Sequence, residues 1–173
     1  MTALAHAPDR RAWLGAAGMA LLGAAMPGGA RAAPAETGQA VAWPEVRLLD
    51  GRRLDAPWRQ GRATVLSFFA TDCGYCHRHN ARLQGLLQAG AGLPLQLLGV
   101  AQGADAAAVR RYLAQHGLGI DVTLDEQALH AALVARRSVP MTCVIDRSGV
   151  LRERIPGEMA EADVQALARW ARG

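Results

Sequence analysis

Apolar and polar positions follow two periods along the chain, and the changes between them predict an α/β fold. Apolar runs of strand length lie at 63–69 and 95–100 and lack the alternation of a half-exposed strand. Both are therefore predicted as central strands that are covered on both faces. Helical stripes follow at 74–90 and 104–116. This order predicts a central mixed β-sheet with helices on both faces.

Two hairpins are predicted outside these central elements. Residues 46–54 contain an Asp50-Gly51 turn between two short apolar stretches, which predicts an N-terminal β-hairpin extension. Residues 142–154 contain Asp146-Arg147-Ser148-Gly149 between two strand-like runs and predict a second hairpin. The sheet therefore has antiparallel strands as well as parallel ones.

Two further helices are predicted in the second half of the chain. Asp125 is expected to cap a helix that carries Leu129, Leu133 and Val134. A last helix is predicted over 158–172, because this segment begins acidic and ends basic, as the helix dipole favours.

The first residues have the features of an export signal. An arginine pair precedes an apolar run at 12–26, a Pro-Gly-Gly breaker follows, and Ala30-Arg31-Ala32 offers an A-x-A cleavage site. The run is short and rich in Gly and Ala for a spanning helix, so cleavage is expected instead of anchoring. The arginine pair resembles the twin-arginine motif but follows Asp9, so twin-arginine and general secretory export both stay open.

The expected organisation is an export signal at 1–32, a linker without structure at 33–42 and one folded domain at 43–173. Export places the domain in the periplasm, where thiols tend to oxidise. All 19 basic residues are arginines, and the formal net charge of +4 is weak and scattered. This distribution argues against a nucleic-acid partner, and the absence of lysine excludes amine chemistry.

The stretch TDCGYCHRHN at 71–80 joins the end of a predicted strand to the start of a helix. Cys73 is therefore expected at the amide-rich end of the helix and Cys76 one turn inside it. In such C-x-x-C pairs the thiol pKa falls from about 8.5 to between roughly 3.5 and 7.5. The two sulfurs can meet across the first turn as a disulfide, which favours a reactive dithiol.

Three other interpretations compete with a reactive dithiol. A structural zinc site needs four ligands, and the chain offers one cysteine pair, a distant Cys143, and His77 or His79. A copper-delivery site built from Cys73, Cys76 and a histidine stays open outside the cytoplasm. A permanent structural disulfide would close too small a loop to stabilise the fold much. Neither a bound metal nor a cofactor is predicted.

The segments FFATDCGYC at 68–76 and VPMTCVIDRSG at 139–149 together resemble the thioredoxin superfamily. They are most similar to the extracytoplasmic TlpA-type and ResA-type thiol-disulfide oxidoreductases. The similarity spans about residues 43–172, nearly the whole expected domain. It implies a thioredoxin fold.

The resemblance also implies a role for each site residue. Cys73 attacks the substrate, and Cys76 resolves the mixed disulfide, so that the two form a redox-active disulfide. Pro140 takes the cis form beside them. The backbone of Val139 is then available to pair with a substrate strand.

Two positions depart from the pattern of these relatives near the first cysteine. Asp72 stands where they usually carry Trp, and its charge should disfavour a neighbouring thiolate. Cys73 is therefore expected to ionise less readily than in a strong oxidase. Ser67 occupies the place where thioredoxins hold a buried acid.

Other site positions also carry unusual residues. His79 stands three residues past Cys76, where the ResA-type branch often has Glu, and shares a helical face with that cysteine. It could take the proton of the resolving thiol, or it could be a surface imidazole. His77 is expected to point to solvent. Cys143 is expected to be a buried, inert thiol, with a third redox cysteine as the alternative.

Gly74 and Tyr75 keep a second resemblance open, because C-G-Y-C-H is also similar to the active site of periplasmic disulfide isomerases. Those proteins carry an added dimerisation domain, whereas the 42 residues before Trp43 are mostly leader and linker. An isomerase is therefore disfavoured.

The sequence predicts an exported, soluble thiol-disulfide oxidoreductase that exchanges its dithiol with protein cysteines. A reductase in cytochrome c maturation or metal-site assembly is favoured, and the resemblance implies a membrane thiol-relay electron donor. An oxidase or isomerase is the alternative within the enzymes. A copper-delivery chaperone that uses the same cysteines is the alternative outside them.

Overall fold

The computed structural model describes residues 33–55, 59–134 and 136–172. The predicted export signal at 1–32 lies outside the described residues. Within these three ranges, no helix is both long enough and apolar enough to cross a membrane.

Five strands form one mixed sheet in the order β3-β2-β1-β4-β5. β1 pairs in parallel with β2 and antiparallel with β4, and all of its residues are buried. It is therefore the central strand that its mainly apolar run without alternation predicts. The strands are β1 (Ala63–Phe69), β2 (Leu95–Ala101), β3 (Asp121–Thr123), β4 (Met141–Ile145) and β5 (Leu151–Pro156).

Helices cover both faces of this sheet, as predicted. Leu83, Val109 and Val164 pack in one buried cluster, whereas Leu129 and Leu133 belong to a second cluster that also contains Leu66 and Phe68 of β1. Neighbouring residues of β1 thus face opposite cores. The helices are α1 (Gly74–Ala89), α2 (Ala106–Gln115), α3 (Glu126–Leu133), α4 (Glu161–Ala166) and α5 (Arg169–Arg172).

α1 has the start and the end that the sequence predicts. Its N-cap is Cys73, whose backbone is extended and whose Sγ accepts a hydrogen bond from the Cys76 N–H at 3.3 Å. At the other end, the Gly90 N–H donates to the Leu86 carbonyl at 2.8 Å, and Gly90 caps the helix. The cap geometry places the first cysteine at the helix end where amide groups are exposed.

The prediction of one helix over 158–172 is wrong. The chain forms the two short helices α4 and α5, separated by Leu167 and Ala168, both of which are buried. Here the Leu167 N–H donates to the Val164 carbonyl at 3.1 Å, three residues back. This tighter turn redirects the chain and packs both side chains in the core.

Two more local features differ from the sequence prediction. β3 was not predicted, because three residues are too few to show a period. Asp125 precedes α3, as expected, but its carboxylate does not cap the helix. It accepts the Arg47 backbone N–H at 2.6 Å and so connects the N-terminal hairpin to the start of α3.

The N-terminal hairpin is present and short. Arg47 and Arg53 form one antiparallel bridge, and the Leu54 N–H donates to the Val46 carbonyl at 2.9 Å. Gly51 lies in the turn with φ 92°, a value that favours glycine. The hairpin joins the edge strand β3 through the Leu49 N–H, which donates to the Val122 carbonyl at 2.7 Å.

The prediction that 33–42 is a linker without structure is wrong. Ala40 forms an antiparallel bridge with Val150. Backbone hydrogen bonds connect the Ala35 N–H to the Ala132 carbonyl at 2.9 Å and the Gly38 N–H to the Leu151 carbonyl at 2.7 Å. These contacts pair the segment with Val150 and with Leu151, the first residue of the edge strand β5.

Candidate active site

Cys73 and Cys76 form a disulfide across the first turn of α1, with their Cα atoms 5.2 Å apart. The two cysteines differ in accessibility, because Cys73 is half-buried and Cys76 is 0% exposed. The helix places Cys73 at its open end and turns Cys76 into the core. A sulfur of another molecule can therefore reach Cys73 and not Cys76.

The Val139–Pro140 peptide bond is cis and directly precedes β4. Phe68, near the end of β1, pairs with Met141 at the start of β4. The loop that carries Cys73 and the loop that carries Pro140 therefore lie at the same end of these two strands. Cys73 and Val139 both pack against the same buried cluster. The structure thus brings together the cysteines and the proline of the two sequence motifs.

The backbone around this proline is only partly paired. The Pro140 carbonyl accepts the Gly157 N–H at 2.8 Å. Among the described residues, the N–H and carbonyl of Val139 have no backbone hydrogen-bond partner. Because Val139 is half-buried, these two groups are placed to pair with an extended segment of another chain.

The supporting residues around Cys73 lie at the surface. Asp72, Gly74 and Tyr75 are all exposed. A Cβ atom added at Gly74 would meet nothing within 4 Å, so this glycine is not required by crowding. The rim of the site is therefore open on the side of the first helical turn.

His79 is buried, and the interpretation as a surface imidazole is wrong. Its Nδ1 accepts the Met159 backbone N–H at 3.4 Å, so Nε2 carries the proton and donates to the Thr142 hydroxyl at 2.7 Å. Burial lowers the pKa of His79 to about 4. The imidazole is neutral at pH 7, and both of its nitrogens are engaged.

His77 does not point to solvent, so that expectation is also wrong. Its Nε2–H donates to the Thr71 carbonyl at 3.0 Å. The centre of its ring lies 5.2 Å from the ring centre of Tyr112 and 4.3 Å from that of His116. The Thr71 carbonyl follows β1, where the strand pairing has ended. His77 satisfies this carbonyl and ties the loop before Cys73 to the helix after it.

Asn80 is a site residue that the sequence interpretation missed. It is fully buried, accepts the Ser67 hydroxyl at 2.7 Å through Oδ1 and donates to the Tyr112 hydroxyl at 3.0 Å through Nδ2. The available signal was its spacing, since Asn80 lies four residues past Cys76 on the same helical face. Ser67, at the position where thioredoxins hold an acid, is one end of this neutral hydrogen-bonded chain.

Cys143 lies in β4, is fully buried and is free of any disulfide. Burial raises the pKa of its thiol to about 12, so it stays protonated at neutral pH. The fourth ligand of a zinc site would have to be His77 or His79, and each of these is hydrogen-bonded to another group. Within the described part of the chain, no cluster of three or more His, Cys, Asp or Glu residues could hold a metal ion.

The site combines an accessible cysteine with a buried partner one helical turn away, and a cis-proline lies at the same end of the strands. These features define a thiol-disulfide oxidoreductase with a thioredoxin fold. The chain belongs to the AhpC/TSA family, whose model matches residues 37–154. This range contains both cysteines and the cis-proline. A comparison with curated proteins gives no significant match.

Solved structures confirm the fold class. A thioredoxin-family thiol:disulfide interchange protein from Chlorobium tepidum is 23% identical with a TM-score of 0.69, over 82% of this chain and 100% of that one. A secreted Mycobacterium tuberculosis disulfide oxidoreductase homologous to Escherichia coli DsbE is 18% identical with a TM-score of 0.62, over 73% and 94%. StoA from Bacillus subtilis is 16% identical with a TM-score of 0.60, over 72% and 94%.

Proposed function

We propose that this oxidoreductase reduces disulfides of other proteins outside the cytoplasm, in the manner of DsbE-type and TlpA-type proteins. The observation that carries the proposal is the unequal accessibility of the two cysteines, since Cys76 is 0% exposed and Cys73 is half-buried. The Cys73 sulfur is accessible to a partner protein. The Cys76 sulfur is buried and can react only with Cys73.

The catalytic cycle uses Cys73 as the attacking group and Cys76 as the resolving group. The Cys73 thiolate attacks one sulfur of a client disulfide, forms a mixed disulfide and releases the other client sulfur as a thiolate. Cys76, as a thiolate, then attacks the Cys73 sulfur. The Cys73–Cys76 disulfide forms, the second client sulfur leaves, and two electrons have passed to the client.

Local contacts support this assignment. The Cys76 backbone N–H donates to the Cys73 Sγ at 3.3 Å, and a thiolate accepts such a bond more strongly than a thiol does. The partly unpaired backbone of Val139 offers a client segment one or two main-chain hydrogen bonds beside Cys73. His79 is a positioning residue in this scheme, because its nitrogens hold Thr142 and Met159.

The direction of electron flow and the location complete the proposal. The expected export signal and the DsbE homology of a secreted structural neighbour support a periplasmic reductase. A reductase in an oxidising compartment needs a membrane thiol-relay donor. The proposed clients are cytochrome c haem-attachment cysteines or proteins of metal-site assembly.

Insulin reduction in dithiothreitol tests the activity, and the reduction potential tests its direction. A potential near −270 mV is expected for a reductant, whereas one near −120 mV would identify an oxidant. Tight Cu(I) binding by the dithiol without turnover would favour copper delivery.

Trapping identifies the client. A Cys76→Ala variant expressed in a periplasm should stay covalently attached to its client through Cys73, and mass spectrometry should name that client. Cys143→Ala is the matched control, since this thiol is buried and free of any disulfide, and it should trap nothing. Absence of any Cys73 adduct in the Cys76→Ala variant would contradict the proposed cycle.

A further inference from the structure

Tyr75 is unusual because it is a large aromatic side chain left in solvent beside a reactive site. It lies between the two cysteines and is 64% exposed, the only large hydrophobic side chain so exposed in the part of the chain that the structure describes. Tyr75 and the accessible Cys73 both lie at the start of α1, so a client that reaches Cys73 comes to the same part of the surface.

Arg78 fixes one side of the ring. Its guanidinium carbon lies 4.9 Å from the centre of the Tyr75 ring, and the two residues are three apart on α1. The same guanidinium binds Glu158 in a two-pronged contact, with Nε at 3.0 Å and Nη2 at 2.7 Å from the two carboxylate oxygens. Arg78 is thus oriented by Glu158 and covers one side of Tyr75.

Glu158 is itself held in place by a second arginine. Arg82 Nη1 lies 2.5 Å from Glu158 Oε1 and 2.8 Å from the Met159 carbonyl oxygen. The loop that carries Glu158 also contains Gly157, whose N–H donates to the carbonyl of Pro140 at 2.8 Å. One short loop therefore connects the cis-proline to the arginines that support Tyr75.

The charges of this cluster balance. Arg78 and Arg82 face Glu158, and Glu161 lies 3.9 Å from Arg82. The hydrogen bond from Arg78, with help from Arg82, holds the pKa of Glu158 below its usual range, so the carboxylate stays charged at neutral pH. The two cations and two anions of this cluster cancel, so it attracts no ionic partner, and Asp72 is the remaining exposed charge beside Cys73. The open side of Tyr75 therefore offers an apolar contact.

We propose that Tyr75 is a specificity-determining residue that binds an apolar or aromatic side chain next to the reacting cysteine of the client. Arg78 and Glu158 are positioning residues that hold the Tyr75 ring for this contact. The inference rests on the proposed function, because it concerns clients of the same dithiol. Val139 supplies a second, half-buried apolar side chain, which packs against the same buried cluster as Cys73 and fits the same kind of client.

Two short disulfide-linked peptides test the proposal, one with Phe and one with Ser beside each cysteine. The reduced protein should react with the Phe peptide about fivefold faster, as expected for one aromatic contact. The gain should appear in KM and not in kcat. Tyr75→Ala should abolish the preference, and Tyr75→Phe should retain it.

The positioning residues are tested with the same peptides and with glutathione disulfide, which carries no apolar or aromatic side chain beside its cysteines. Arg78→Ala and Glu158→Gln should lower the Phe-to-Ser ratio at least twofold and leave the rate with glutathione disulfide within twofold. Arg111→Ala, an exposed arginine of α2, is the matched control and should change neither value.

Three results would overturn the proposal: no peptide preference in the wild-type protein, a preference that survives Tyr75→Ala, or an equal loss with peptide and glutathione disulfide. A faster reaction with acidic flanking residues would also overturn it. Failure of the proposed function has a different signature, since the wild-type protein would then reduce none of the three disulfides.

Discussion

The two sides of the first turns of α1 place similar polar residues in opposite environments. On the outer side, Tyr75 and Arg78 are exposed and Cys73 is half-buried. On the inner side, the side chains of Cys76, His79 and Asn80 are all 0% exposed. One helix therefore carries both the reactive rim of the site and its fixed support.

The hydrogen bonds of the two sides differ in the same way. The inner residues His79 and Asn80 are bonded to Thr142, Ser67 and Tyr112 through distances of 2.7 to 3.0 Å. A buried polar group that loses its partner costs free energy, so these contacts keep the inner side in one arrangement. On the outer side, Arg78 is also held by Glu158, but its contacts lie at the surface, so a client can approach Cys73 and Tyr75. Burial therefore separates the reactive residues of this helix from the supporting ones more than residue type does.

The largest expected effect concerns the two thiols of the reduced protein. Cys73 should react with iodoacetamide at least about 100-fold faster than Cys76, because only Cys73 is accessible. Mass spectrometry of peptides after timed alkylation measures both rates. Cys143 is the internal control and should react as slowly as Cys76. Equal rates at Cys73 and Cys76 would remove the distinction between the two sides.

The second largest effect is expected at His79. His79→Ala should lower the free energy of unfolding by about 3 kcal/mol, because it leaves Thr142 without its partner and opens a cavity. Urea unfolding at pH 7 measures the change. His116→Ala, at a half-buried imidazole, is the control and should cost less. A loss under 1 kcal/mol would show that the inner side is not fixed by this contact.

The same histidine predicts a pH dependence. Its pKa is about 4 in the folded protein and about 6.5 when exposed, so the unfolded chain binds more protons between these values. Stability should be full above about pH 6.5 and fall by at most about 3 kcal/mol as the pH drops towards 4. Burial also lowers the pKa of His130, which contributes in the same direction. His79→Ala should reduce the slope, and an unchanged slope would contradict the assignment.

A smaller effect is expected from Ser67→Ala. The change leaves the Asn80 Oδ1 without its buried donor and should cost about 1 to 2 kcal/mol of unfolding free energy. Ser148→Ala is the matched control, because that hydroxyl is exposed in a turn, and it should change stability by less than about 0.5 kcal/mol. Equal costs for the two serines would mean that burial does not separate them.

The smallest effect is expected from Asp72→Asn on the outer side. Removing this exposed charge next to Cys73 should favour the thiolate and raise the alkylation rate of Cys73 at pH 6 about twofold. Asp163→Asn, an exposed charge on α4, should leave the rate unchanged. A slower reaction in Asp72→Asn would indicate that Asp72 supports the thiolate through another contact.

Elements whose pattern is local could be predicted from the sequence. The apolar run of β1, the cap and end of α1 and the Asp-Arg-Ser-Gly hairpin between β4 and β5 all have the predicted positions. The two cysteines meet because their spacing matches one helical turn. Such features depend on residues that are close in the sequence, so the sequence alone is enough to predict them.

Tertiary packing decided the features that depend on distant residues. His79 is buried because α1 turns that face towards Thr142 of β4, 63 positions away in the sequence. The segment 33–42 is paired because distant backbone groups, among them the carbonyls of Ala132 and Leu151, accept its N–H groups. The last helix divides because Leu167 and Ala168 enter the core. The helical period shows which residues share a face but not which distant residues that face contacts. The burial of these residues and their hydrogen-bond partners are therefore set by tertiary packing.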